Sequence, residues 1–136
     1  MKRFWAILII SVLLLTGCSS PAPIPLSDFD NTEVSLSSPV CISFDLPAND
    51  EVKLPFNLSI TKNAIRVSFD GKDFKDFTVT LYRADNDTDV AVATISEKNN
   101  TVTFTNLQSN YDYYIVVTNE TGGSSSLVLE LRERMS

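Results

Sequence analysis

From Val40 to the C-terminus the chain repeats one pattern, with apolar residues at every second position and polar turns at short intervals. A strand sends successive side chains to opposite faces, whereas a helix needs apolar spacings of three and four, so this pattern restricts the chain to β structure. Val40, Ile42, Phe44 and Leu46 make a first row, and Val52, Leu54, Phe56, Leu58 and Ile60 a second. Ile65, Val67 and Phe69 make a third, and "FTVTLYR" puts Phe77, Val79 and Leu81 on one face and Thr78, Thr80 and Tyr82 on the other. "DVAVATIS" alternates less cleanly, "TVTFTN" offers Val102 and Phe104, and "YDYYIVVTN" offers Tyr113, Ile115 and Val117. Leu127, Leu129 and Leu131 close the series. The breaks "PAND", "DGKD", "RADNDTD", "EKNN" and "NETGGSSS" are rich in Asn, Asp and Gly, the residues of turns. Pro55 falls inside the second row, which is therefore expected at a sheet edge or a bulge, because proline has no N–H to give a ladder. No segment after residue 20 keeps a helical period. The expected fold is all-β, a single antiparallel β-sandwich of about seven to eight strands.

The first residues follow another rule. Lys2 and Arg3 are followed by an apolar run from Phe4 to Leu15, interrupted by Ser11. Twelve helical residues span roughly 18 Å, short of a hydrocarbon core of about 30 Å, so the run suits the core of an export signal better than a membrane span. Leu15-Thr16-Gly17-Cys18 then resembles the lipobox of bacterial lipoproteins: Leu, a small residue, Gly or Ala, then Cys. A cysteine thiol is nucleophilic enough to take a diacylglyceryl group as a thioether, and small residues before it give a peptidase access to the backbone. The resemblance implies cleavage ahead of Cys18, lipidation there by fatty acyl chains such as palmitate, and anchoring to a membrane. It also leaves Cys41 no second cysteine to bridge, so Cys41 is expected to pack as a small hydrophobe within "PVCISFDL". Ser19 resembles the residue that follows the lipidated Cys in outer-membrane lipoproteins of diderm bacteria; in a monoderm the same protein would face outward from its one membrane.

Residues 1–17 are accordingly expected as signal peptide, 18–38 as lipidated N-terminus and linker, and 39–136 as the sandwich. The linker assignment rests on Pro21, Pro23 and Pro25 and three serines before Asn31, a composition that is extended and partly stiff. The whole chain carries a net charge of −6. Without Lys2 and Arg3, nine basic residues face seventeen acidic ones, a net −8. That balance argues against nucleic acid and against electrostatic adhesion to anionic lipid, since both need basic patches.

The C-terminal half resembles the last strands of a fibronectin type III domain. Leu107, Tyr113, Ile115, Val117, Asn119, Gly122 or Gly123, and Ser124 fall on that family's positions, while Ser109 stands where it usually has proline and its early-strand Trp is missing. The resemblance implies a tyrosine corner, in which the Tyr113 hydroxyl bonds to backbone upstream. "ISFDLPANDEVKL", "DFTVTLYRADN" and "YYIVVTNETGG" are also similar to the pre-peptidase C-terminal sandwich domains of secreted bacterial peptidases. The sandwich is thus expected to be immunoglobulin-like or fibronectin III-like, or else jelly-roll-like.

Chemistry is sparse. The chain has no histidine, which removes the commonest general base and the Ser-His-Asp and Cys-His arrangements. It has no nucleophile elbow, phosphate loop or Cys-x-x-Cys, and no cofactor is implied. Asp85, Asp87 and Asp89 alternate as a calcium loop begins, but Val90 stands where an EF-hand needs Gly and Ser96 where it needs Glu. "DGKDFKD", Asp70 to Asp76, interleaves its carboxylates with Lys72 and Lys75. Tyr82, Tyr111 and Tyr114 fall off the apolar parity and are candidates for exposed aromatics that would stack on sugar or on protein. Asn57, Asn86, Asn99 and Asn119 begin glycosylation sequons, which a bacterial export route would leave unused. The expected protein is non-catalytic: a lipid-anchored envelope lipoprotein whose sandwich is a protein-interaction or structural module. The alternatives are a carbohydrate-binding module, which requires exposed aromatics on one sheet, and a carboxylate-dependent hydrolase, which requires two facing acids in a cleft.

Overall fold

The computed structural model describes residues 22–29, 32–70, 77–96, 98–120 and 122–135. The expected signal peptide, Cys18 and the "DGKDFKD" loop beyond Asp70 lie outside the described residues. The strands are β1 (Ile24–Pro25), β2 (Thr32–Ser35), β3 (Val40–Leu46), β4 (Glu51–Lys53), β5 (Phe56–Ser59) and β6 (Ala64–Asp70). They continue as β7 (Phe77–Arg83), β8 (Thr88–Ile95), β9 (Thr101–Phe104), β10 (Tyr113–Asn119) and β11 (Ser125–Arg134), with one short 3-10 turn at Leu26–Asp28.

Alternation decides which face of each strand is buried. Ile65, Val67 and Phe69 on β6, Phe77, Val79 and Leu81 on β7, Ile115 and Val117 on β10, and Leu129 and Leu131 on β11 are all buried. These rows close on one another as two packed sheets. Phe69 of the first sheet meets Phe77 of the second with ring centroids 6.3 Å apart and planes tilted by 51°, an aromatic contact of about 0.5–1.5 kcal/mol beyond its buried area.

The first sheet runs β1-β3-β11-β6-β9 and the second β2-β5-β10-β7-β8, with β4 also on β10. Taking β4 and β5 as one interrupted strand and setting β1 and β2 aside, the order is first-eighth-third-sixth in one sheet and second-seventh-fourth-fifth in the other. This is the jelly-roll arrangement of two sheets. An immunoglobulin-type sandwich instead keeps its last two strands as neighbours, whereas here β10 and β11 lie in different sheets. The fibronectin III-like alternative therefore describes the local motifs of the C-terminal half and not the strand order.

Three details refine the sequence reading. The second apolar row is broken at Leu54–Pro55, and both halves still pair with β10 (Val117↔Val52, Tyr113↔Leu58). Leu54 is buried there and its N–H reaches the Ile115 carbonyl at 3.0 Å. β2 covers β5 in parallel, whereas β4 pairs only with β10 and lies at the sheet edge, so the expected edge or interruption at Pro55 is found in the first half of the row. Pairing also begins before the expected boundary at residue 39. Ile24 and Pro25 lie parallel to Ile42 and Ser43, and Leu36 is in the core. These two parallel pairs make both sheets mixed in an otherwise antiparallel fold. Apolar residues among the prolines (Leu26, Phe29, Val34, Leu36) reach the core and explain why a linker-like composition still packs.

The tyrosine corner is present. Tyr113 is buried, its hydroxyl receives the Gln108 N–H at 3.0 Å, and it donates to the Gln108 carbonyl at 3.4 Å. Cys41 is buried beside Glu130 on the outward parity of β3. No helix among the described residues is long and apolar enough to cross a membrane.

Candidate functional site

The outer face of the second sheet gathers the side chains that sequence parity left unassigned. Strand register sets Lys53, Val116, Thr80 and Val92 in one cross-strand row, and Tyr114, Tyr82 and Asp89 in the next. Tyr114 and Tyr82, directly opposite on β10 and β7, stack with centroids 5.0 Å apart and planes within 7°. The Lys53 ammonium sits 4.3 Å from the Tyr114 ring centroid. The Tyr114 hydroxyl donates to Asp87 Oδ1 at 3.0 Å. Burial, and then the hydrogen bond and charge of Asp87, push the Tyr114 pKa up, because each disfavours the phenolate.

The turn between β7 and β8 builds the neighbouring part. The Asp87 N–H closes the turn on the Arg83 carbonyl at 2.9 Å, with Asp87 in the left-handed region at φ 54°. The Asn86 side chain takes the Thr88 N–H at 3.1 Å, an arrangement typical of Asx turns. Arg83 forks onto Asp85, Nε to Oδ1 at 3.1 Å and Nη2 to Oδ2 at 2.7 Å. Its guanidinium lies 3.6 Å from the Tyr111 ring centroid. The Arg83 hydrogen bond holds the Asp85 carboxyl below the usual carboxylate range, and the same contact raises Arg83.

This geometry disposes of several sequence candidates. Asp85, Asp87 and Asp89 do not converge: Asp85 binds Arg83, Asp87 takes the Tyr114 hydroxyl, and Asp89 stands exposed on β8. Among the described residues no group of three or more His, Cys, Asp or Glu could hold a metal ion. Of the three tyrosines, Tyr114 is buried, while Tyr82 and Tyr111 are half-buried. Tyr114 lies under Tyr82 and Lys53, and Tyr111 under Arg83, so the three rings do not form a row of open platforms. Asn57, Asn86 and Asn99 are exposed, whereas Asn119 is fully buried.

Two acid pairs bear on the hydrolase alternative. Glu33 on β2 is exposed and shares a side-chain hydrogen bond with Asp112, which raises the Glu33 pKa through that bond and through like charge. Asp45 and Asp70 lie along an open groove of about 910 Å³ across the first sheet, both exposed, and Ser126 donates its hydroxyl to Asp45 at 2.7 Å.

Sequence reasoning named the tyrosines but missed Lys53 and Arg83, the cations that cover them. A signal was available for Arg83, which stands two residues before Asp85 and next to Tyr82. None was available for Lys53, whose contact with Tyr114 exists only through the β4–β10 register.

The chain is an all-β jelly-roll sandwich. No family model and no curated protein matches it. Among solved structures it is similar to the pre-peptidase C-terminal domain of a Bacillus anthracis collagenase, at TM-score 0.56 and 14% identity over 84% of this chain and 100% of that domain. It is also similar to Aeromonas hydrophila PliG, a periplasmic inhibitor of g-type lysozyme, at TM-score 0.52 and 9% identity over 78% of this chain and 100% of that one. A third is the Yersinia pseudotuberculosis-derived mitogen, at TM-score 0.51 and 8% identity over 73% of this chain and 88% of that one. The expected likeness to pre-peptidase C-terminal domains thus holds at the level of the fold.

Proposed function

We propose that the chain is a bacterial lipoprotein anchored through a lipidated Cys18, whose extracytoplasmic sandwich is a non-catalytic protein-interaction module. Its contact face is the outer face of the second sheet. The observation that carries this reading is the Tyr82–Tyr114 stack with Lys53 above it and Arg83 over Tyr111 beside it. Tyrosine and arginine dominate the energetics of protein interfaces, and rings held by their neighbours lose little freedom on binding. A sugar platform needs an open ring face, which these covered rings supply less well, so a protein partner is preferred to a glycan. PliG, which has this fold, is a periplasmic inhibitor of a lysozyme, so the fold serves on a protein target outside the cytoplasm. The lipobox and the acidic surface support an envelope location.

Two experiments test the two halves. Mass spectrometry of the mature N-terminus is expected to show a lipidated Cys18, and Cys18→Ser to move the protein from the membrane to the soluble fraction; an unmodified Cys18 refutes the anchor. For the contact face, a photocrosslinker at position 80 is expected to capture a defined envelope protein, and one at position 103, on the opposite sheet, to capture none. Tyr82→Ala is expected to abolish the capture. Equal capture from both positions refutes the assigned face.

A further inference from the structure

An edge strand leaves one row of backbone N–H and C=O groups without a ladder, and folded proteins protect such edges by making them short or by placing proline or charge on them. The five described edges differ sharply in this respect, and β4, which pairs only with β10, has three residues with Glu51 and Lys53 at its ends. β1 has two residues and Pro25, β2 has four, and β9 has four. β8 has eight and pairs only with β7. A bulge at Val90 ends its irregular start, since Leu81 pairs with Ala91 but Tyr82 with Asp89. Ala91 to Ile95 then pairs residue for residue with β7, with neither proline nor charge. Val92 is 59% exposed and Val90 42%.

The sequence of that edge fits itself. Val90-Ala91-Val92-Ala93-Thr94 reads almost the same in both directions, because Val and Thr are isosteric and both β-branched. In an antiparallel pair centred on Val92, Val92 opposes Val92 and Ala91 opposes Ala93 within the regular part of the strand, and Thr94 falls opposite the bulge at Val90. No like charges face each other, and branched residues meet branched ones. A twofold interface requires this kind of self-complementarity, whereas a strand from an unrelated protein does not.

We propose that β8 is a dimerisation strand, which joins β8 of a second copy of this chain to make one continuous sheet across the pair. The two tyrosine faces then lie side by side on that sheet. The proposal stands independently of those faces, since its readout is the oligomeric state and needs no partner protein.

The test uses the full chain in neutral detergent micelles with a thiol-directed oxidant. Opposed Cα atoms in an antiparallel pair are about 4.5–5.5 Å apart, within disulfide reach. Val92→Cys is therefore expected to give a covalent dimer. Thr94→Cys alone is not, because its two copies are about 13 Å apart in this register at ~3.3 Å per residue. Val92→Lys, which opposes two charges, is expected to raise the dimer dissociation constant about tenfold or more, and Val92→Thr to change it little. A wild-type chain that stays monomeric overturns the proposal. So does equal crosslinking at positions 92 and 94, or a dimer indifferent to Val92→Lys.

Discussion

Replacing Asn119 tests the packing most sharply. Asn119 ends β10 and is fully buried. Its Nδ2 donates to the carbonyls of Leu46 at 3.2 Å, Pro47 at 3.1 Å and Gly123 at 2.9 Å. Leu46 and Pro47 begin the crossing from β3 to β4, and Gly123 lies in the crossing from β10 to β11, so one amide ties together two passages between the sheets. Two amide hydrogens serve three acceptors, so about two full bonds are at stake. At about 1 kcal/mol each, plus the space left by the side chain, Asn119→Ala is expected to cost about 2–4 kcal/mol. For a domain of this size that lowers the melting temperature by roughly 10 °C. Asn119→Asp keeps the shape but turns a carboxylate toward three carbonyl oxygens, and is expected to cost more than Ala at pH 7. Burial raises the pKa of such a carboxyl. Its defect should therefore shrink as pH falls and the protonated acid regains one donor, and grow as pH rises through its folded pKa. Urea and thermal unfolding followed by far-ultraviolet circular dichroism at pH 4 and pH 7 reads all of this. An Asp variant as stable as wild type, or milder than Ala at pH 7, refutes the clamp.

Further expectations concern single contacts. Tyr113→Phe removes the partner of the Gln108 N–H and should cost about 1 kcal/mol in urea unfolding; a neutral result means the corner does not stabilise the fold. Phe77→Ala opens the core between the sheets and is expected to cost about 3–5 kcal/mol by the same assay. Glu133 is buried, which pushes its pKa up, but it accepts the Thr61 N–H at 2.6 Å, the Thr61 hydroxyl at 2.8 Å and the Lys62 N–H at 3.2 Å, and the net shift is downward. A carboxyl with a lowered folded pKa contributes stability above its unfolded pKa and loses it as pH falls through the folded one. The melting-temperature gap between wild type and Glu133→Gln should therefore be open at pH 6 and narrow as pH drops below the ordinary carboxylate range; a gap independent of pH contradicts the assignment.

The sequence by itself determined the elements. Period-two spacing puts Phe77, Val79 and Leu81 on one face whatever their neighbours, because alternation is a local property of extended backbone. Each of the eight apolar rows became a strand or, at Pro55, two strands separated where the missing N–H breaks the ladder. The fibronectin-like pattern from Leu107 to Ser124 likewise implied, by resemblance, the tyrosine corner, whose hydrogen bond spans only five residues. Tertiary structure alone decided which strand lies beside which. Leu127, Leu129 and Leu131 are equally apolar beside β10 or beside β3 and β6, and only packing of the whole chain sends β11 to the first sheet and turns a fibronectin-like motif into a jelly roll. The same holds for the site. Asp85, Asp87 and Asp89 look equivalent in sequence, yet Arg83 takes one, Tyr114 another, and the third stays in solvent. Lys53 meets Tyr114 across 61 positions of sequence only because β4 and β7 flank β10. Face is written into each strand; partnership is a long-range choice made by closing the core.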